Sequence, residues 1–124
     1  MTRVNVKTMT VKELVEQFVA IAVDQEKAIF DGDTAKFNQL YDQMEEVRKE
    51  LKSRPGDQCQ ALLPLYAHAN TQVRLRAALA TLEDEPGAAR RVLEGIANSR
   101  RYPEAAADAL AAIWKLDGRP LVRS

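Results

Sequence analysis

The chain has 124 residues, of which 46% are hydrophobic, and its 18 basic and 18 acidic side chains give a formal net charge of zero. This length suits one domain with an ordinary core, so we expect residues 1–124 to form a single domain. The balanced charge excludes the strong electrostatic field by which polybasic proteins attract nucleic acid or anionic membranes. Leucine and alanine dominate the apolar residues, which favours helices and predicts an all-α fold.

The single cysteine, Cys59, has no second cysteine with which to form an internal disulfide. A lone thiol fits a reducing compartment, so we expect a cytoplasmic protein. Uninterrupted apolar runs are short, with residues 18–23 unmatched in length except by residues 109–114, and residues 1–8 lack the apolar core of a signal peptide. We therefore expect neither membrane association nor a targeting segment.

The first part of the chain predicts a helical hairpin. Thr10 and Glu13 have the spacing of a capping box, in which each side chain satisfies a free backbone amide of the other residue, so a first helix should begin there. Gly32 suits the left-handed end of that helix, and Asp33 suits the N-cap of the second. The short link makes the two helices antiparallel, and we place the hairpin at residues 10–53.

A clear break follows the hairpin at residues 53–57, which contain a Pro-Gly pair. A third helix is expected at residues 57–67, bent at Pro64 because proline leaves one backbone carbonyl without its partner. The two ends of the chain, residues 1–9 and 117–124, show no helical period and are expected to lie outside the helices.

Three further helices are expected, which makes about six in total. Asn70 or Thr71 caps the fourth helix. Pro86 and Pro103 suit the first turns of the fifth and sixth, because proline needs no hydrogen-bond partner for its nitrogen there. The sixth helix should end near Leu116.

Residues 61–82 are echoed by residues 92–113 at a constant offset of 31. Ala78-Leu79, for example, aligns with Ala109-Leu110. A helix-turn-helix unit repeated at such a period is typical of an α-solenoid, whose units bury their apolar faces on one another. We therefore interpret residues 57–116 as two stacked helix pairs in a short right-handed α-α superhelix.

The first of these units resembles a HEAT repeat, a family related to armadillo repeats. That family has a proline in the first helix, an amide or acidic residue at the turn, and a Val-Arg pair followed by small and branched apolar residues in the second helix. The matching residues are Pro64, Asn70, Val73, Arg74, Ala77, Ala78, Leu79 and Leu82. An arginine at the turn can bind carbonyls left free at helix ends. The second unit has Glu104-Ala105 in place of Val-Arg, which indicates a degenerate or capping repeat.

The whole chain, and residues 10–25 and 51–82 above all, also resembles a small bacterial family known as domain of unknown function 2019. The resemblance implies an all-helical, HEAT-like cytoplasmic fold and supplies no catalytic residues to carry over. Some HEAT-like bacterial proteins of this size are immunity proteins that neutralise a toxin.

Residue types that are catalytic or bind metals in other proteins are interpreted as structural in this chain. His68 lies in a turn, where a hydrogen bond to a helix end is its commonest role, and Cys59 has no general base near it in sequence. Asp31 and Asp33 lack the further oxygen ligands of a calcium loop and fit helix ends. Gly95, inside a helix, is expected to mark a close helix contact. The sequence therefore predicts no catalytic site, cofactor or metal, and a reactive thiol at Cys59 is the test of an enzymatic alternative.

The arginines in the second half of the chain are the one cluster of residues that suggests a binding function. They are Arg74, Arg76, Arg90, Arg91, Arg100 and Arg101. In a solenoid, several would line one edge and meet phosphates or an acidic protein surface. In the alternative interpretation Arg74 is structural and the others are solvated or pair with Glu83, Glu94 or Glu104. We interpret the nearby aromatic residues Tyr66, Tyr102 and Trp114 as core side chains, and Trp114 most clearly.

The leading hypothesis is a non-enzymatic protein that binds another protein, with an immunity-type partner as its sharper form. Its predicted binding residues are Arg74, Arg76, Arg100, Arg101 and Tyr102. The second hypothesis is a nucleic-acid-binding HEAT-like protein that uses the arginine edge, with Arg90 and Arg91 as its test; the neutral net charge disfavours it. Self-association also stays open, because a short solenoid leaves apolar end faces.

Overall fold

A computed structural model describes residues 5–118, and over that range the chain is helical and contains no strand. This confirms the all-α prediction with about six helices. The five α-helices are α1 (Val11–Asp31), α2 (Thr34–Ser53), α3 (Thr71–Ala80), α4 (Pro86–Ala97) and α5 (Pro103–Leu116). Two 3₁₀ segments, Val6–Thr8 and Gln58–Ala67, complete the described elements.

Local signals set most helix ends as predicted. The Thr10 hydroxyl accepts from the Glu13 amide at 3.1 Å while the Glu13 carboxylate accepts from the Thr10 amide at 2.8 Å, which completes the capping box of α1. Gly32 takes the left-handed conformation at φ 69°, and the Asp33 side chain caps α2. At α3 the cap is Asn70, whose side chain accepts from the Val73 amide at 3.1 Å. These ends depend on residues within four positions of each other, so the sequence alone predicts them.

Four expectations need correction or lie outside the described residues. Residues 57–67 do not form a bent α-helix but the ten-residue 3₁₀ segment, in which Pro64 has no N–H to donate to an α-helical ladder. Part of the predicted irregular lead-in is the 3₁₀ turn Val6–Thr8. Trp114 is half-buried rather than a core residue. The predicted irregular ends at residues 1–4 and 119–124 lie outside the described part of the chain.

By its internal contacts the chain divides into two compact units, an N-terminal unit of residues 1–62 and a C-terminal unit of residues 63–124. The prediction of one domain over 1–124 and that of a right-handed superhelix stay predictions. No α-helix within residues 5–118 combines the length and the apolar character that crossing a bilayer requires.

In the N-terminal unit, α1 and α2 pack against each other. Their buried apolar side chains are Leu14, Phe18, Ile21, Ala22 and Ala28 on α1 and Leu40, Met44, Val47 and Leu51 on α2. Arg54, which follows α2, donates to the carbonyls of Val6 and Met9 at 3.2 and 2.7 Å and to the Glu50 carboxylate at 2.7 Å. This guanidinium fastens the segment before α1 to the end of α2.

In the C-terminal unit, α3, α4 and α5 pack around one hydrophobic core. Leu75 and Ala78 come from the first echoing segment, while Leu93, Ala109 and Ile113 come from the second, and all five belong to the same buried cluster. The two echoing segments are therefore in contact and cover each other's apolar faces. Alanines at the buried positions allow close approach of neighbouring helices.

Candidate interaction groove

A groove of about 400 Å³ opens on the C-terminal unit. It is bordered by the end of the 3₁₀ segment Gln58–Ala67, the first turn of α3, one face of α4 and the loop that joins α4 to α5. Its lining residues are Tyr66, Thr71, Arg74, Arg91, Val92, Gly95, Ile96, Ser99 and Tyr102. Two of the predicted binding residues, Arg74 and Tyr102, thus share one concave surface.

Arg74 is held in place by the turn that precedes α3. Its Nη1 donates to the carbonyls of His68 and Ala69 at 2.6 and 3.0 Å, and its Nη2 donates to the Thr71 hydroxyl at 2.9 Å. The prediction that an arginine binds free carbonyls at this turn is confirmed. Because several acceptors fix the planar group, Arg74 presents a positive charge to the groove in one orientation.

His68 belongs to the same turn and has a structural role. Its Nδ1 accepts a hydrogen bond from the backbone amide of Asn70 at 3.0 Å, directly at the N-cap of α3. This confirms the interpretation of His68 as a turn histidine bonded to a helix end. It also assigns the ring a form in which Nδ1 carries no proton.

Helix α4 contributes both charge and open space to the groove. Arg91 is exposed, whereas Val92 is half-buried and Ile96 is buried, so the helix presents a cation beside an apolar floor. Gly95 lies between them, and a Cβ built on it would meet no atom within 4 Å. The expectation that Gly95 marks a close helix contact is therefore wrong. The glycine faces open space in the groove instead.

Arg100 and Arg101 are exposed in the loop between α4 and α5, between the groove residues Ser99 and Tyr102. The Arg101 guanidinium lies 5.6 Å from the centroid of the Tyr102 ring, within the range of a cation–π interaction. The loop thereby places two cations at the border of the groove and stacks one of them on an aromatic side chain.

Arg76 and Arg90 have other partners. The Arg76 side chain is only 11% exposed and its Nη2 lies 3.4 Å from the Asp108 carboxylate on α5. Arg90 binds Asp117 through two hydrogen bonds of 2.7 and 2.9 Å and lies 3.5 Å from Glu94. Neither lines the groove, so the structure separates these two arginines from Arg74 and Arg91.

Two arginines line the groove, and two more lie in the loop beside it. Within residues 5–118, no carboxylate forms an ion pair with Arg74, Arg91, Arg100 or Arg101. Cations that form no ion pair attract an anionic surface, and Debye screening confines this attraction to about 10 Å at moderate salt.

Tyr66 lines the groove and also packs against the core. Its hydroxyl is hydrogen-bonded to the buried Thr81 hydroxyl, which in turn donates to the Ala77 carbonyl at 2.8 Å. Since the Thr81 proton is used there, Tyr66 is the donor of the shared bond. Burial raises the pKa of Tyr66 above its ordinary value of 10.0, so the phenol stays neutral.

The other candidate residues from the sequence make contacts that belong to the fold. Cys59 is buried, with its Sγ 3.8 Å from the Arg48 carbonyl. Asp33 caps α2, and Asp31 accepts from Lys27 at 2.8 Å. These contacts account for the two aspartates as helix-end residues.

The sequence model of the family described as domain of unknown function DUF2019 matches residues 12–117, which is most of the chain. The chain belongs to this family. The chain is also similar to a solved structure, the protein RPA1889 from Rhodopseudomonas palustris CGA009, with a TM-score of 0.87 and 38% sequence identity over 98% of this chain and 100% of that chain. No curated protein matches the chain.

Sequence reasoning singled out six residues of this region, namely Tyr66, Arg74, Arg91, Arg100, Arg101 and Tyr102, and their part in binding stays a prediction. It did not find that Thr71 and Ser99 line the same groove, because isolated hydroxyl residues in a helical sequence have no distinguishing pattern. Among the signals that sequence reasoning missed, the glycine at position 95 was the easiest to detect, because an exposed glycine inside a helix lowers stability.

Proposed function

We propose that this member of the DUF2019 family is a non-enzymatic protein-binding module whose C-terminal unit recognises an acidic surface of another protein. The observation that carries the proposal is the groove with Arg74 and Arg91 in its lining and Arg100 and Arg101 at its border. Arginine is favoured at protein interfaces because its planar group binds carboxylates through two bonds and stacks on aromatic rings.

Cys59, the nucleophile candidate from the sequence, is buried, and the Nδ1 atom of His68 accepts a backbone hydrogen bond. This supports binding over catalysis. In its sharper form the proposal is an immunity-type role in a reducing compartment, in which the chain neutralises a toxin through this surface. The size of the chain and its HEAT-like sequence pattern support that form, and a toxin-like reading frame beside the gene would test it.

The experiment is to isolate a partner by affinity purification from the native host and to measure its affinity for purified variants. The double variant Arg100→Glu/Arg101→Glu reverses two border charges, and we expect it to weaken binding by about tenfold or more, with a steeper loss at low salt. The matched control, Lys36→Glu/Lys49→Glu, reverses two exposed lysines of α2 in the N-terminal unit and should leave the affinity unchanged.

Repeated failure to recover any protein partner, or equal affinity of both double variants, would contradict the proposal. Tight, salt-sensitive binding to duplex DNA by the wild-type chain that Arg91→Glu abolishes would favour the nucleic-acid hypothesis instead. The engagement of Arg90 by Asp117 leaves Arg91 as the more informative of those two positions.

A further inference from the structure

We infer that the groove on the C-terminal unit receives an extended segment of the partner that inserts one apolar side chain flanked by carboxylates. This inference rests on the proposed function and specifies the chemistry and the place of recognition. Three features of the groove carry it: its apolar floor, two differently held arginines and the open position at Gly95.

The floor of the groove suits one large apolar side chain. Val92 and Ile96 lie one turn apart on α4 and line it together with the rings of Tyr66 and Tyr102. A volume of about 400 Å³ lies at the small end of ligand-binding pockets and accommodates one aromatic or branched side chain with its flanking backbone. A purely hydrophilic anion would leave this floor uncovered.

Arg74 offers a carboxylate a preorganised partner. Its bonds to the carbonyls of His68 and Ala69 and to Thr71 use three of the five N–H groups that a guanidinium carries. Nε and one N–H of Nη2 are not used by these bonds. Because the group is already fixed, binding a carboxylate costs little further side-chain entropy.

Arg91 offers a second, adaptable cation on the α4 side of the groove. It is exposed, and no ion pair holds it within the described range 5–118. A fixed cation in the lining at Arg74 and an exposed one at Arg91 fit carboxylates placed on either side of an inserted apolar side chain. Lysine or arginine in the partner segment would be repelled by the same pair.

Gly95 keeps the space open. A glycine in a helix interior lowers stability relative to alanine, and packing does not explain a glycine here, because a Cβ built on Gly95 would meet no neighbouring atom within 4 Å. Without a side chain at this position, a partner backbone can approach the surface of α4 closely. A large side chain at position 95 would occupy the groove.

The test is a selection from a random peptide library on the immobilised wild-type chain, followed by titration of the enriched peptides against purified variants. We expect enriched peptides to contain an aromatic or branched residue with aspartate or glutamate near it. Gly95→Trp should weaken their binding by about tenfold or more, and Arg91→Glu should weaken it comparably. The control Ala107→Trp adds the same ring at an exposed position of α5 outside the groove lining and should bind as the wild type does.

Enrichment of no peptide, enrichment of basic or unbiased peptides, or equal affinity of Gly95→Trp would overturn the inference. Displacement of the peptides by inorganic phosphate at low concentration would show that the groove takes a small anion and would overturn it as well. If the partner recovered from the host depends on Arg100 and Arg101 but binds Gly95→Trp as tightly as wild type, this inference fails while the proposed function stands.

Discussion

Arg90 and Asp117 join the middle of α4 to the C-terminal end of α5 through two parallel hydrogen bonds. Nη1 and Nη2 of Arg90 donate to Oδ1 and Oδ2 of Asp117 at 2.7 and 2.9 Å, although the two residues are 27 positions apart. Asp117 is also the C-cap residue of α5. The hydrogen bond from Arg90 to Asp117 is the main cause that raises the pKa of the guanidinium above its ordinary value.

We predict a favourable coupling between these two side chains in a double-mutant cycle of Arg90→Gln and Asp117→Asn. Each single variant should lower the midpoint of thermal unfolding, and the double variant should lower it by less than the sum of the two. High salt should reduce the coupling because both groups are partly exposed. Additive effects of the two substitutions at low salt would show that the pair contributes no interaction energy.

The core that the two echoing segments share should depend strongly on Leu93. This residue of α4 is fully buried in the cluster, so Leu93→Ala should lower the free energy of unfolding by about 2 to 5 kcal/mol through lost transfer energy and a cavity. Leu110→Ala makes the same chemical change on α5 at a residue that is 39% exposed, and it should cost about 1 kcal/mol or less. Urea denaturation of both variants measures the difference, and equal losses would place Leu93 outside the core.

Two glycines with equally open surroundings should respond in opposite ways to alanine. Neither Gly32 nor Gly95 has an atom within 4 Å of a built Cβ, but only Gly32 has a positive φ, of 69°. Gly95→Ala should stabilise the chain by about 0.5 to 1 kcal/mol by raising helix propensity, whereas Gly32→Ala should destabilise it because alanine is strained in that conformation. Destabilisation by Gly95→Ala in urea or thermal unfolding would indicate a contact at position 95 and would contradict the open groove.

The capping box of α1 should make stability depend on acidic pH. The backbone amide of Thr10 is the main cause that lowers the pKa of Glu13 below its ordinary value of 4.5, with a further contribution from the Thr10 side chain. A lowered folded-state pKa means that the unfolded chain binds the proton more readily, so this contribution is complete above pH 4.5 and is lost as the pH falls through the folded pKa.

Glu13→Gln tests this dependence because glutamine can still accept from the Thr10 amide but does not titrate. Near neutral pH the wild type should be the more stable of the two, and the difference should shrink as the pH falls below 4.5. Thermal unfolding at several pH values gives the comparison. A difference in stability that does not change with pH would show that the charge of Glu13 does not contribute to the capping interaction.

Local chemistry explains why much of the fold could be predicted. The caps at Thr10, Asp33 and Asn70 each need a partner only three residues away, and prolines at helix starts act through their own backbone. The segment Gln58–Ala67 was mispredicted because an apolar stretch with one proline is compatible with a bent α-helix and with a 3₁₀ segment alike.

The groove was less accessible because its parts are distant in sequence. Its lining extends from Tyr66 to Tyr102, so no short pattern contains it. Arginine clustering predicted the region but could not separate Arg76, which faces Asp108, from Arg74, which lines the groove. That separation depends on the packing of α3 against α5, and it decides which charges a partner can reach.

The proposed interface is tested best by mapping a bound partner on the isotopically labelled chain by amide chemical shifts. If the groove is the binding site, the largest changes fall in residues 71–74 and 91–102, which include the groove lining of α3 and α4 and the loop with Arg100 and Arg101. Changes concentrated in α1 and α2, with those two ranges unaffected, would contradict it.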